Sequence, residues 1–174
     1  MARRALSGVV LVGGASSRFG SPKALAQLDG ERFVDRARRI LAEACDEVLV
    51  VGKAGELPFD VTDDGSEVRA PIAGVVAGLR AAANDVVVFL PVDCPRVTAD
   101  VVRALGNACR DAAVPQTGPL PGAWAKSALP VLEQRLAHGP LALYRAYADL
   151  DVASVEIDPQ LLADIDTRAE LENL

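Results

Sequence analysis

The sequence predicts an α/β fold built on a mainly parallel sheet, and two observations support this. Runs rich in Val alternate along the chain with helical segments rich in Ala, Leu and Arg. The run Val86-Val-Val-Phe-Leu90 is continuously apolar, as expected of a parallel strand that is buried on both faces. The 174 residues, 51% of them hydrophobic, suffice for one core and fit a single domain spanning 1–174.

The elements follow in order from apolar runs and from the turn residues between them. We predict strands at 8–12, 47–51, 86–90, 112–114, 123–126 and 152–157. We predict helices at 33–44, 71–83, 98–110, 128–136 and 141–147, with Pro71 opening one of them and Thr98 capping another. Thr167 should cap a last short helix. The turn formers in 116–122 predict an irregular loop or hairpin, not a domain linker.

Composition and charge exclude several classes of protein. The net charge of −6 argues against a nucleic-acid surface, which relies on clustered cations. The apolar runs are too short to span a membrane and no long apolar region follows the first four residues, so we expect a cytoplasmic protein. Cys45, Cys94 and Cys109 lack Cys-x-x-Cys spacing and do not form a zinc site with His138. We expect Cys94 to be a buried, inert thiol.

The most informative stretch joins the first strand to a glycine-rich loop with two cations. Residues 11–23 read Leu-Val-Gly-Gly-Ala-Ser-Ser-Arg-Phe-Gly-Ser-Pro-Lys. Gly13 and Gly14 have no Cβ, so the chain can turn sharply and bring backbone N–H groups close to anionic oxygens. Arg18 can fork onto two phosphate oxygens, and Lys23 acts as a point charge. This combination predicts a grip for the triphosphate of a nucleotide.

Two commoner phosphate-binding loops do not fit these residues. A Walker A loop needs Gly-Lys-Ser or Gly-Lys-Thr, whereas Ser21 and Pro22 separate Gly20 from Lys23. A dinucleotide fingerprint needs G-x-G-x-x-G opening a helix, whereas the first glycines here are adjacent and Pro22 interrupts an early helix. A Gly-Gly pair taken alone is often an ordinary turn, but the full string is much rarer.

Acidic residues supply the candidate metal ligands. Asp93 follows the strand at 86–90 and lies between two prolines, which hold its carboxylate on a stiff turn. Mg²⁺ prefers oxygen ligands and binds one or two carboxylates together with substrate phosphates, so Asp93 is the predicted ligand. Asp166 is a second candidate, although it or Thr167 could instead cap the last helix. Asp63 and Asp64 form an acidic pair in a turn, where solvation is the simpler interpretation.

These segments resemble the molybdenum cofactor guanylyltransferases of the MobA type. The opening string is similar to that family's Gly-Gly followed by Ser-x-Arg-φ-Gly-x-x-Lys. Three further segments are similar to motifs of that family and follow in the same order. Ala70-Pro-Ile-Ala-Gly74 is similar to its Gly-Pro-Leu-Ala-Gly, and Pro91-Val-Asp-Cys-Pro95 to its Pro-x-Asp-x-Pro. Asp164-Ile-Asp-Thr167 stands where the family has Asn-x-Asn-Thr or Asp-x-Asp-Thr. The resemblance implies a three-layer α/β/α, Rossmann-like nucleotidyltransferase fold.

The resemblance also assigns roles to residues. It implies catalytic roles for Arg18, Lys23 and Asp93 and a metal role for Asp93, and it favours one for Asp166. It implies that the nucleotide contacts Leu11, Val12, Gly13, Gly14, Lys23, Asp93 and one of Asp63 and Asp64. Two departures bear on these roles. Asp164 and Asp166 stand where the family often has Asn. Gly52 stands near the position at which some members have an Asn that contacts the nucleotide. Trp124 suits either a stacking role or the core.

The predicted reaction is nucleotidyl transfer with Mg²⁺. A phosphate on the acceptor attacks the α-phosphorus of a nucleoside triphosphate, and Arg18 and Lys23 stabilise the departing pyrophosphate. The resemblance implies GTP as donor, a molybdopterin that carries molybdenum as acceptor, and proteins that hand over the cofactor. Three alternatives stay open: CTP as donor, a sugar-phosphate acceptor, or a noncatalytic nucleotide-binding module.

Overall fold

A seven-stranded sheet with helices on both faces forms the described part of the computed structural model, which covers residues 2–13, 21–53, 55 and 57–174. The strands of this sheet are β1 (Leu6–Val12), β4 (Glu47–Gly52), β5 (Thr62–Asp63), β6 (Val86–Pro91), β7 (Ala112–Pro115), β8 (Gly122–Ala125) and β9 (Val152–Val155). Strands β2 (Gln27–Leu28) and β3 (Glu31–Arg32) form a separate hairpin. The order in the sheet is β5-β4-β1-β6-β8-β7-β9, and only β8 runs antiparallel to its neighbours in this part of the chain.

The helices divide between the two faces of the sheet. They are α1 (Phe33–Ala44), α2 (Pro71–Ala81), α3 (Ala99–Ala108), α4 (Leu129–His138), α5 (Pro159–Leu162) and α6 (Arg168–Glu172). Helices α1 and α3 pack with Val10 of β1 on one face, whereas α2 and α4 pack with Val9 on the other. Adjacent β1 residues enter opposite cores because successive side chains in a strand alternate. The predicted three-layer α/β/α arrangement is confirmed.

Most predicted elements are present, with shifts at their ends. The segment predicted as a helix over 141–147 is a 3-10 helix, Leu143–Asp149. The loop over 116–122 connects the antiparallel strands β7 and β8, so the hairpin interpretation is confirmed. The side chain of Thr98 accepts a hydrogen bond from the backbone N–H of Val101, and Thr167 begins α6 with a capping box. Both predicted caps are therefore confirmed.

Trp124 belongs to the core and not to a ligand site. Its side chain is fully buried on β8, and its indole N–H donates to the carbonyl oxygen of Pro119. Within the described ranges, no helix has both the length and the apolar character needed to cross a membrane.

Candidate functional site

A cavity of about 1030 Å³ opens at the carboxyl edge of the sheet, where β5, β4, β1 and β6 end. Strand β1 lies between β4 and β6, and the helices that lead away from β1 and into β6 pack on opposite faces. Such a change of direction leaves a crevice outside the strand ends, which is the usual ligand site of an α/β sheet. The predicted nucleotide residues that line it are Leu11, Val12, Gly13, Lys23, Asp64 and Asp93, together with the metal candidate Asp166.

Two glycines shape the floor of this cavity. Gly13 follows β1 with φ of 100°, a left-handed conformation that favours glycine. A Cβ on Gly52, at the end of β4, would collide with the carbonyl oxygen of Val12 on β1. The close approach of the two strand ends therefore excludes any side chain at residue 52.

Lys23 joins the N-terminal part of the chain to two of the candidate acids. It begins a 3-10 turn that follows Pro22, and its side chain is 14% exposed. Its Nζ lies 2.6 Å from an oxygen of Asp166 and 3.3 Å from an oxygen of Asp93. The structure thus brings together residues that are 70 and 143 positions apart in sequence.

A backbone hydrogen bond holds the C-terminal acids at the end of β6. The N–H of Ile165 donates to the carbonyl oxygen of Asp93 at 2.9 Å, and the Ile165 side chain is buried. Asp164 and Asp166 flank this anchor, and their carboxylates and that of Asp93 have oxygens within 4.8 Å of one another. Thr167 is the N-cap of α6, so Asp166 is not the cap. Asp164 was not predicted from the sequence as a metal ligand, although a second acidic residue two positions before Asp166 could have indicated it.

The charged groups of this cluster shift one another's pKa. Burial raises the pKa of Asp93; the Lys23 ammonium opposes this rise, and Asp164 and Asp166 add to it. Burial acts to lower the pKa of Lys23, but hydrogen bonding to Asp166 and the charge of Asp93 outweigh it, so the net shift is upward. Lys23 therefore stays charged at neutral pH. The Lys23 ammonium contacts Asp93 and Asp166, and the oxygen-rich donor set of Asp93, Asp164 and Asp166 fits a magnesium ion.

Cys94 is next to this cluster but is not a candidate nucleophile. Its side chain is buried, and burial raises the pKa of its thiol well above the ordinary value. A protonated thiol is a poor nucleophile. The structural interpretation of Cys94 therefore agrees with the geometry.

The acidic pair after β5 splits into two different environments. Asp63 is exposed, and its carboxylate accepts the backbone N–H of Gly65 at 2.7 Å. Asp64 lines the cavity, and its side chain is only 6% exposed. The geometry therefore favours Asp64 over Asp63 as the nucleotide residue.

Lys53 was not predicted as a site residue. It lines the cavity directly after β4, and its Nζ lies 2.7 Å from Asp64. The signal was available, because a charged residue that follows a parallel strand lies at the ligand edge of the sheet. Two of the predicted residues, Gly14 and Arg18, lie outside the residues that the structure describes.

Comparison with known proteins decides the family. A family model described as the MobA-like NTP transferase domain matches residues 8–152. The chain belongs to the MobA-like NTP transferase family. The predicted resemblance is confirmed, and membership makes the protein a nucleotidyltransferase and hence an enzyme. The predicted single-domain organisation over 1–174 stays a prediction.

Individual relatives of the MobA-like family agree with this assignment. The molybdenum cofactor guanylyltransferase of Desulfosudis oleivorans is 27% identical over 97% of this chain and 93% of its own length. A probable molybdenum cofactor guanylyltransferase of Deinococcus radiodurans is 38% identical over 67% of this chain and 64% of its own length. Among solved structures, molybdopterin-guanine dinucleotide biosynthesis protein A of Archaeoglobus fulgidus has a TM-score of 0.80 at 22% identity, covering 96% of this chain and 95% of that one. That last similarity shows the fold.

Proposed function

We propose that this MobA-like enzyme transfers GMP from GTP to molybdopterin that carries molybdenum, forming the guanine dinucleotide cofactor and releasing pyrophosphate. The observation that carries the proposal is the placement of Lys23 between Asp93 and Asp166 in a cavity that Gly13 also lines. A nucleotide polyphosphate with its metal ion needs a cation and carboxylates placed together in this way. The names of the relatives supply the choice of GTP and of the acceptor.

The reaction needs no protein nucleophile. An oxygen of the acceptor phosphate forms a bond to the α-phosphorus of GTP, and the bond between that phosphorus and the α–β bridging oxygen breaks. The electron pair leaves with pyrophosphate, on which negative charge increases. Lys23 and Arg18 would stabilise this charge, while the cavity walls align donor and acceptor. Alignment and electrostatic stabilisation are the main contributions that enzymes make to such transfers.

We include Mg²⁺ in the proposal because Asp93, Asp164 and Asp166 form a donor set that fits it. When bound, the ion would neutralise phosphate oxygens of the nucleotide. In the protein alone, Lys23 contacts Asp93 and Asp166 and balances part of their charge. The same lysine would be able to contact the triphosphate when the carboxylates hold a metal ion.

Two further parts of the proposal concern the surroundings of the enzyme. The acceptor is a labile pterin, so we propose that other proteins deliver it and receive the product. A cytoplasmic location and the lack of nucleic-acid and membrane partners remain expectations from composition and charge.

The test is pyrophosphate release with Mg²⁺ from GTP, CTP, ATP and UTP, with and without molybdenum-charged molybdopterin. We expect release from GTP that depends on the acceptor and is lost in Lys23→Met. Lys126→Met is the matched control, because Lys126 Nζ donates to the carbonyl oxygen of Ala82, and neither residue lines the cavity. Release from CTP alone would transfer the assignment to a cytidylyltransferase. Nucleotide binding without any release would favour a noncatalytic module or a different acceptor.

A further inference from the structure

Lys53 is a cavity lysine that the proposed reaction does not use. It follows β4 directly, and its Nζ donates to an oxygen of Asp64 at 2.7 Å and to the carbonyl oxygen of Ser66. Its stem lies against Gly13, since a Cβ on that glycine would approach the Lys53 Cβ to 3.7 Å. Lys53 therefore links three segments at the cavity: the ends of β1 and β4 and the loop after β5.

The pairing with Asp64 makes Lys53 a poor partner for phosphate. The two opposite charges cancel, and the Asp64 side chain is 6% exposed, so water screens this ion pair little. The cluster around Lys23 lies at the end of β6, on the other side of β1. Three strand spacings separate β5 from β6, which is about 14 Å. The two charged groups therefore suit different parts of one nucleotide.

The hydrogen bonds of Asp64 leave one oxygen for a ligand. Its Oδ1 accepts both Lys53 Nζ and the backbone N–H of Ser66, at 2.7 and 3.0 Å. Its Oδ2 accepts no hydrogen bond from any residue that the structure describes. A carboxylate accepts hydrogen bonds and donates none, so it favours a ligand edge that carries N–H groups and disfavours one that carries lone pairs.

We infer that Lys53 is a specificity-determining positioning residue, which holds Asp64 so that its free oxygen selects a nucleobase edge with N–H donors. Guanine fits best, because its N1–H and its 2-amino group are adjacent donors, whereas adenine and cytosine place a lone pair beside their amino group. This inference rests on the proposed function, in which GTP is the donor. It adds a reason for the choice of base.

The test is equilibrium binding of GDP, IDP and ADP, which needs no turnover. IDP lacks only the 2-amino group of GDP, so the ratio of the two affinities measures recognition of that donor. We expect the unaltered protein to prefer GDP to IDP about tenfold, as for one hydrogen bond to a charged group. Lys53→Met keeps the apolar stem and removes the ammonium. It should weaken GDP binding about tenfold and remove most of the preference.

Further variants separate positioning from a general effect on folding. Lys53→Arg should keep most of the preference, and Lys126→Met should keep all of it. Lys53→Gln serves as a second uncharged variant if Lys53→Met does not fold. The double variant Lys53→Met with Asp64→Asn should lose no more affinity for GDP than the more affected of the two single variants. Both substitutions remove the same interaction, so their effects should not add.

Two binding results would overturn the inference. One is equal affinity of the unaltered protein for GDP and IDP. The other is an equal loss of affinity for GDP, IDP and ADP in Lys53→Met, which would mean that Asp64 contacts the ribose. In turnover, Lys53→Met should raise KM for GTP and change kcat by less than about threefold; the reverse pattern would also overturn it. If binding behaves as expected but no acceptor yields pyrophosphate, the proposed function fails while the role of Lys53 stands.

Discussion

Replacing Lys23 with methionine removes the ammonium between Asp93 and Asp166 and keeps an apolar side chain of similar length. Breaking a fully buried ion pair costs about 3–5 kcal/mol. The Asp166 side chain is 45% exposed, so water would stabilise its unpaired charge in part. We therefore expect Lys23→Met to lower the free energy of unfolding by about 2 kcal/mol at neutral pH. Loss of one donor to the departing charge should also lower kcat at least about a hundredfold.

The loss of stability should depend on pH in a defined direction. Burial raises the pKa of Asp93, and Lys23 opposes that rise, so the pKa of Asp93 should be higher still in Lys23→Met. A carboxyl group whose pKa is raised in the folded state reduces stability as the pH rises from its unfolded pKa through its folded one. The difference between the two proteins should be small near pH 4 and larger near pH 7.

The assay is urea denaturation of both proteins at these two pH values, together with pyrophosphate release. Lys126→Met is the control for loss of a lysine that donates to a backbone carbonyl away from the cavity. A stability difference of equal size at both pH values would refute the electrostatic reasoning. So would a variant that is more stable than the unaltered protein at neutral pH.

The remaining predictions concern other parts of the site. Asp93→Asn should abolish turnover yet raise stability at neutral pH, because burial raises the pKa of the carboxyl group it replaces; lower stability in denaturation would contradict this. Added Mg²⁺ should raise the Tm of the unaltered protein and leave that of Asp93→Asn unchanged, as thermal scans would show. Gly52→Ala should lower the free energy of unfolding by about 3 kcal/mol in urea denaturation, because its Cβ meets the Val12 carbonyl oxygen. Gly55→Ala is the control and should lower it far less, because a Cβ there has no contact closer than 4.0 Å. Thr167→Ala removes the capping box and should lower the free energy of unfolding by about 1 kcal/mol. An unchanged midpoint of urea unfolding would argue against the cap.

Local pattern was enough to predict the parts of the fold that short stretches of chain specify. The run at 86–90 became the core of β6, and α1 has the predicted bounds Phe33–Ala44. Thr98 and Thr167 are caps because a hydroxyl at that position meets N–H groups only a few residues away. Asp93 lies at the sheet edge because its strand ends two residues before it. Each of these features depends on neighbours in sequence.

The layered α/β fold, the family and seven of the residues that line the cavity could be predicted from sequence, because periodicity, turn residues and motifs are local. The charges that meet could be read only from the folded chain. It paired Lys23 with Asp166 and Lys53 with Asp64, added Asp164 to the acidic cluster, and separated Asp63 from Asp64. Such pairings depend on strand order and on how closely strand ends approach, which packing of the whole chain sets and no short segment encodes.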